Sequence, residues 1–128
     1  MGHLHISRPR IRTDIVVRGK EAEAELKKVL IDTGATFTVL PESTLKQIGA
    51  WGPISETEVE LGNGNKVKAK AFGARIRVKD AETPCTVITF EGAKTVIGVE
   101  TLESIGLRLD PTTGNLEFTR PKGMAYFY

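Results

Sequence analysis

The sequence predicts an all-β domain with two short helices, on three observations. Runs in which polar and apolar residues alternate recur from Ile11 to Thr119; glycine, asparagine and aspartate punctuate them; and helical spacing of apolar residues occurs at only two places. At 128 residues and 40% hydrophobic content the chain makes one ordinary domain with a modest core, without room for a second of similar size. Its thirteen glycines and six prolines lie scattered between short apolar runs, so they read as turns and close approaches and not as a flexible tail.

From Arg10 to Arg18, Ile11, Thr13, Ile15 and Val17 share one side of a strand that ends at the turn Arg18-Gly19-Lys20. The next strand alternates Glu21, Glu23 and Glu25 with Ala22, Ala24 and Leu26. It becomes wholly apolar at Val29-Leu30-Ile31, as a strand does when it passes from a wet edge into the core. Asp32-Thr33-Gly34-Ala35 follows as a turn and Thr38-Val39-Leu40 as a short buried strand. Pro41 near the start, Leu45 and Ile48 three apart and Gly49 beyond the end mark the first helix. Trp51 is expected in a loop lying over the core. Thr57, Val59 and Leu61 then alternate with Glu56, Glu58 and Glu60. Beyond Gly62-Asn63-Gly64-Asn65, Val67, Ala69 and Ala71 alternate with lysines, which predicts an Asn-Gly hairpin. Ala74, Ile76 and Val78 make the next strand, Asp80-Ala81-Glu82 its turn, and Cys85 to Phe90 another strand. Thr95-Val96-Ile97-Gly98 reads as a short buried strand and Glu100 to Ile105 as the second helix, closed by Gly106. Leu107 to Asp110, a turn at Pro111-Thr112-Thr113-Gly114 and a strand from Asn115 to Thr119 complete the domain.

Eighteen Lys and Arg are interleaved with sixteen Asp and Glu for a net charge of +2. No unbroken basic block exists to follow a phosphate backbone, so nucleic acid is not an expected partner. Lys66, Lys68 and Lys70 read as a solvated strand face. Cys85 is the only cysteine, which excludes an intrachain disulfide and a cysteine-rich zinc site. Its Pro-Cys-Thr-Val setting reads as a small apolar group entering a strand. His3 and His5 lie near the start, where no metal or general-base role is expected of them. The opening residues lack a signal-peptide core and no run is long enough to span a bilayer. The expectation is a cytoplasmic protein that uses neither membrane, metal nor cofactor.

Asp32 carries the chemical interest. A carboxylate directly after Val29-Leu30-Ile31 is costly to bury unless backbone donors or a partner compensate it. On its residues alone it fits two roles equally, a cap on the turn it begins or an acid brought to the floor of a cleft. Gly34 lets a substrate or another chain approach the backbone.

The segment Val29-Leu30-Ile31-Asp32-Thr33-Gly34-Ala35-Thr36-Phe37-Thr38-Val39-Leu40-Pro41 resembles the catalytic motif of the retropepsin-like aspartic proteases, especially their cellular, bacterial and archaeal members. Val96-Ile97-Gly98, the run from Gly98 to Leu107, and Asp110-Pro111 resemble the closing segment of that family, so the likeness extends from Ile11 to Phe118. It implies an acid-protease barrel with one half-site per chain, residues 10–120 forming the protease domain. It further implies a homodimer in which two Asp32 carboxylates share a proton, activate a water and hydrolyse a bond in a peptide or protein substrate, without a cofactor. By the same resemblance Thr33 braces the two loops across the interface and Gly34 meets substrate through its backbone. Ala35 and Thr36 flank the loop, while Val96, Ile97 and Gly98 support it from beneath. Gly62, Asn63, Gly64 and Asn65 correspond to a flap that closes over substrate. Leu30, Val39, Ile76, Val87 and Ile97 are expected to line an apolar cleft.

The chain departs from the viral pattern after Gly98, where Val99 and Glu100 stand in place of Arg followed by Asn or Asp. Dimer contacts are therefore expected from the Asp32 loop and from residues 121–128, whose end Met124-Ala125-Tyr126-Phe127-Tyr128 is apolar and aromatic. The main alternative is a noncatalytic member of the same fold that binds peptide or organises an assembly. An enzyme held shut by its flap until activated has the same sequence features.

Overall fold

The computed structural model describes residues 11–110, 112–113 and 115–119. His3, His5 and the segment 121–128 expected at a dimer contact lie outside them. Along the chain come β1 (Ile11–Arg18), β2 (Glu23–Ile31), β3 (Thr38–Val39), α1 (Glu42–Ile48), β4 (Trp51–Glu60), β5 (Lys66–Val78), β6 (Ala81–Phe90), β7 (Val96–Ile97), α2 (Val99–Ile105), β8 (Leu107–Leu109) and β9 (Leu116–Phe118).

β1 and β2 pair antiparallel, and Ile15 and Val17 are buried as their alternation requires. The register slips between Thr13 and Ile15, where Lys27 and Lys28 lie opposite the single residue Asp14. Lys28 takes φ +51 there and donates its N–H to Asp14 Oδ1 at 2.9 Å. The extra residue of this bulge reverses which parity points inward, so burial passes from Ala24 to Val29 and Ile31 while Leu30 is only half-buried.

Among the described residues seven strands form one sheet in the order β1-β2-β7-β3-β6-β5-β4, and β8 and β9 pair separately. The expected barrel is corrected by this arrangement. The sheet is mixed, because β2–β7 and β3–β6 run parallel, and it ends at β4, which pairs with β5 alone among the described residues. β1 also meets β5, but only through Ile15 to Arg18 against Val78 to Arg75. The remainder of the thirteen-residue β5 runs on into a long hairpin with β4. The sheet thus folds over its core and keeps an open end.

β5 is one strand where a break before Ala74 was expected. Its buried residues change parity between Ala69 and Ala71 on one hand and Ala74, Ile76 and Val78 on the other. The second group enters the main core, with Ile15, Val17, Leu40, Leu45, Ile48, Val87 and Ile97; the first joins Ile88 in a smaller cluster flanked by Val59 and Phe90. One strand therefore serves two apolar surfaces. Trp51 likewise departs from expectation: it begins β4, opposite Gly73, and is 41% exposed instead of covering the core.

Both helices are seven residues long and stop at glycines in the left-handed region, Gly49 at φ +64 and Gly106 at φ +85, where residues with a Cβ are strained. α1 buries Leu45 and Ile48, and α2 buries Leu102 and Ile105, matching the predicted apolar pairs. No helix among the described residues is long and apolar enough to cross a membrane.

Candidate active site

Asp32 stands where β2 leaves the sheet, and its backbone is tied on both sides. Its N–H donates to the Ile97 carbonyl at 3.0 Å, and its own carbonyl accepts from the Ala35 N–H at 3.1 Å. Asp32 Oδ1 accepts the Gly34 N–H at 2.8 Å, while Oδ2 takes no hydrogen bond among the described residues. Asp32 also lines a cleft of about 850 Å³. The cap and the cleft acid, alternatives in the sequence, thus coexist in one side chain.

The loop after Asp32 is held by the start of α2. The first amides of a helix have no acceptor within it. Here the Val99 N–H donates to the Ala35 carbonyl at 2.8 Å and the Glu100 N–H to the Thr36 carbonyl at 3.0 Å. Such proximity leaves no space at Gly98: a Cβ there would lie 2.5 Å from the Phe37 carbonyl carbon and oxygen. Thr38, fully buried, accepts the Gly98 N–H on Oγ1 at 3.1 Å and shares a 2.7 Å hydrogen bond with the hydroxyl of Thr101. Beside them burial pushes the Cys85 thiol up to about 11, against the hydrogen bond with Thr101 that lowers it. At neutral pH this favours the protonated thiol.

Gly34, Ala35, Thr36 and Val96 line the cleft together with Asp32, and Gly62 and Gly64 of the β4–β5 turn line it as well. Asn63 and Asn65 do not; Asn63 Oδ1 instead accepts the Asn65 N–H at 3.0 Å and shapes the turn. Ile97 and Gly98 are buried behind the loop. Thr33 is exposed and borders a second depression of about 340 Å³, with Val99, Glu100 and Glu103.

The apolar lining differs from the expected one. Val39 faces the cleft, but Ile76, Val87 and Ile97 are fully buried in the core and Leu30 is not part of the lining. Their places are taken by Phe37, Val59, Leu61, Ile88 and Phe90, with Glu60 and Lys94 as the charged members besides Asp32. Alternation identifies Val59 and Leu61 as one face of a hairpin without saying which way that face looks. Nothing in the sequence marks Lys94, since its position follows from where the β6–β7 turn runs. Among the described residues no three His, Cys, Asp or Glu side chains converge on a metal position.

A mixed sheet with an Asp-Thr-Gly turn behind a cleft, pinned by a second strand and helix, defines the retropepsin-like aspartic protease fold. The family model described as "gag-polyprotein putative aspartyl protease" matches residues 20–119, and the chain belongs to that family. Its structure is similar to that of EIAV protease complexed with the inhibitor HBY-793, with a TM-score of 0.63 and 19% identity over 86% of this chain and 99% of the other. The match defines the family broadly and does not reach a cellular, bacterial or archaeal branch within it. No curated protein matches the chain.

Proposed function

We propose that this chain is an aspartic endopeptidase whose active form is a cytoplasmic homodimer, each copy contributing Asp32 to one shared site. The observation that carries the reading is the state of that carboxylate. It lines the cleft, with Oδ1 fixed by the Gly34 N–H and Oδ2 without a hydrogen bond among the described residues.

Two such carboxylates brought within a few ångströms of each other do not both ionise, so the pair holds one proton and titrates as a unit. The ionised member accepts a proton from a water lying between them, and that water attacks the peptide carbonyl. The protonated member donates to the carbonyl oxygen and later assists departure of the amine. Gly34, Ala35 and Thr36 supply backbone along an extended substrate, and the turn at Gly62 to Asn65 closes over it and excludes water. Val96, Ile97 and Gly98 keep Asp32 at a fixed height. Thr33 braces the partner's loop, a reading supported by its exposure outside the cleft. Residues 10–120 make the protease domain.

The test is cleavage of a diverse peptide library by wild type and Asp32→Asn, from acidic to neutral pH at concentrations that populate the dimer. Cleavage by wild type alone is expected, with a loss on the order of a thousandfold or more in the variant. Hydrolysis retained by a contaminant-free Asp32→Asn protein would sink the mechanism.

A further inference from the structure

We propose that Lys94 selects substrates carrying an acidic side chain close to the scissile bond. This deepens the reading of the cleft as a peptide site and rests on it.

The lining of the cleft is apolar along most of its length, and Lys94 is its single cation among the described residues. Lys94 lies in the turn between β6 and β7, two residues before Val96, which also lines the cleft, and three before Ile97, whose carbonyl holds the Asp32 amide. It is therefore joined through the short strand β7 to the backbone that holds Asp32. Its side chain is exposed and forms no ion pair with any described residue. Its ammonium is therefore not engaged by a carboxylate among the described residues and is open to one on a substrate.

Glu60 borders the same cleft with the opposite sign. It sits on the strand face opposite to Val59, where its direct cross-strand neighbour is the cation Lys66. Lys94 lies in a turn and has no cross-strand partner of opposite charge among the described residues. Between apolar walls, with a peptide excluding water, its attraction for a carboxylate is screened less than on an open surface. In a twofold dimer the second Lys94 occupies the equivalent place on the other side of the scissile bond. Acidic residues are thus favoured at a pair of positions symmetric about that bond.

The experiment uses matched peptides in which Glu replaces Gln one position at a time on both sides of a cleaved bond. Each is measured for cleavage by wild type and Lys94→Glu. Binding is measured in parallel by fluorescence anisotropy, with Asp32→Asn and with Asp32→Asn/Lys94→Glu. Wild type is expected to favour Glu over Gln by about three- to tenfold at one symmetric pair of positions, with the preference shrinking as salt rises. In Lys94→Glu the order inverts and Lys-containing peptides become favoured. Equal handling of Glu and Gln by wild type, or a preference that survives Lys94→Glu, overturns the inference. A charge preference in binding without any cleavage supports it while overturning the catalytic reading. Failure of every peptide both to bind and to be cleaved overturns both.

Discussion

Gly98 has its backbone pressed against Phe37 and Thr36, so the smallest side chain forces one of them to move. Gly98→Ala is expected to destabilise the fold by about 1–3 kcal/mol, through overpacking against backbone and not through any loss of a contact. Urea unfolding checks this, and a midpoint unchanged from wild type contradicts it. A second residue predicts a pH effect. Asp110 Oδ1 accepts from the Thr112 hydroxyl at 2.6 Å and from the Thr112 N–H at 2.8 Å, and these bonds hold the carboxyl at about 2, below its ordinary 3.8. A depressed carboxylate stabilises the fold fully above its unfolded value, and that stabilisation disappears as pH falls from about 4 through about 2. An NMR titration of Asp110 is expected to show a midpoint near 2, and Thr112→Ala to raise it towards 3.8. A wild-type midpoint near 4 contradicts the assignment.

Among the elements, the β4–β5 hairpin couples the core to the rim of the cleft. Its tip closes on itself, the Leu61 N–H donating to the Asn65 carbonyl at 2.8 Å and the Gly64 N–H to the Leu61 carbonyl at 2.9 Å. No Cβ placed at Gly62 or Gly64 would meet another atom within 4 Å, so the tip stands clear of the body. Amide exchange at Leu61 and Gly64 is expected to run at least on the order of a thousandfold faster than at the core end of β5, Ile76 and Val78. Comparable protection at both ends would show a tip locked in place. The hairpin itself was legible from the Glu and Lys alternation around Asn63-Gly64, and both helices from paired apolar residues and their closing glycines. The bulge at Asp14 was not, because two lysines opposite one aspartate look like ordinary strand surface until the partner strand is known. The open sheet was hidden for a related reason: local alternation reports which face of a strand is wet, while closure depends on how many residues of β1 and β5 meet. The same limit misplaced Ile76, Val87 and Ile97 in the cleft. The turn at Asp32 and Gly34 was marked by a carboxylate directly after an apolar run with a glycine close behind, whereas Thr38 and Thr101 meet only across the folded chain.

For the whole molecule, the proposed site needs two copies, and mixing tests that directly. If wild type and Asp32→Asn exchange freely in equal amounts, about a quarter of the dimers carry two intact carboxylates. Activity is then expected at about a quarter of that of the same total of wild type, against about half if each chain acted alone. An outcome near half argues for a site within one chain.

The hydrogen bonds that join Thr38 to Gly98 and Thr101 link residues 60 and 63 positions apart. A chain emerging from the ribosome presents its aspartate long before it presents the strand and helix that hold it. Until α2 has been synthesised and docked, the Asp32 loop lacks the amides that secure it. The order of synthesis therefore delays assembly of the Asp32 loop until most of the domain exists.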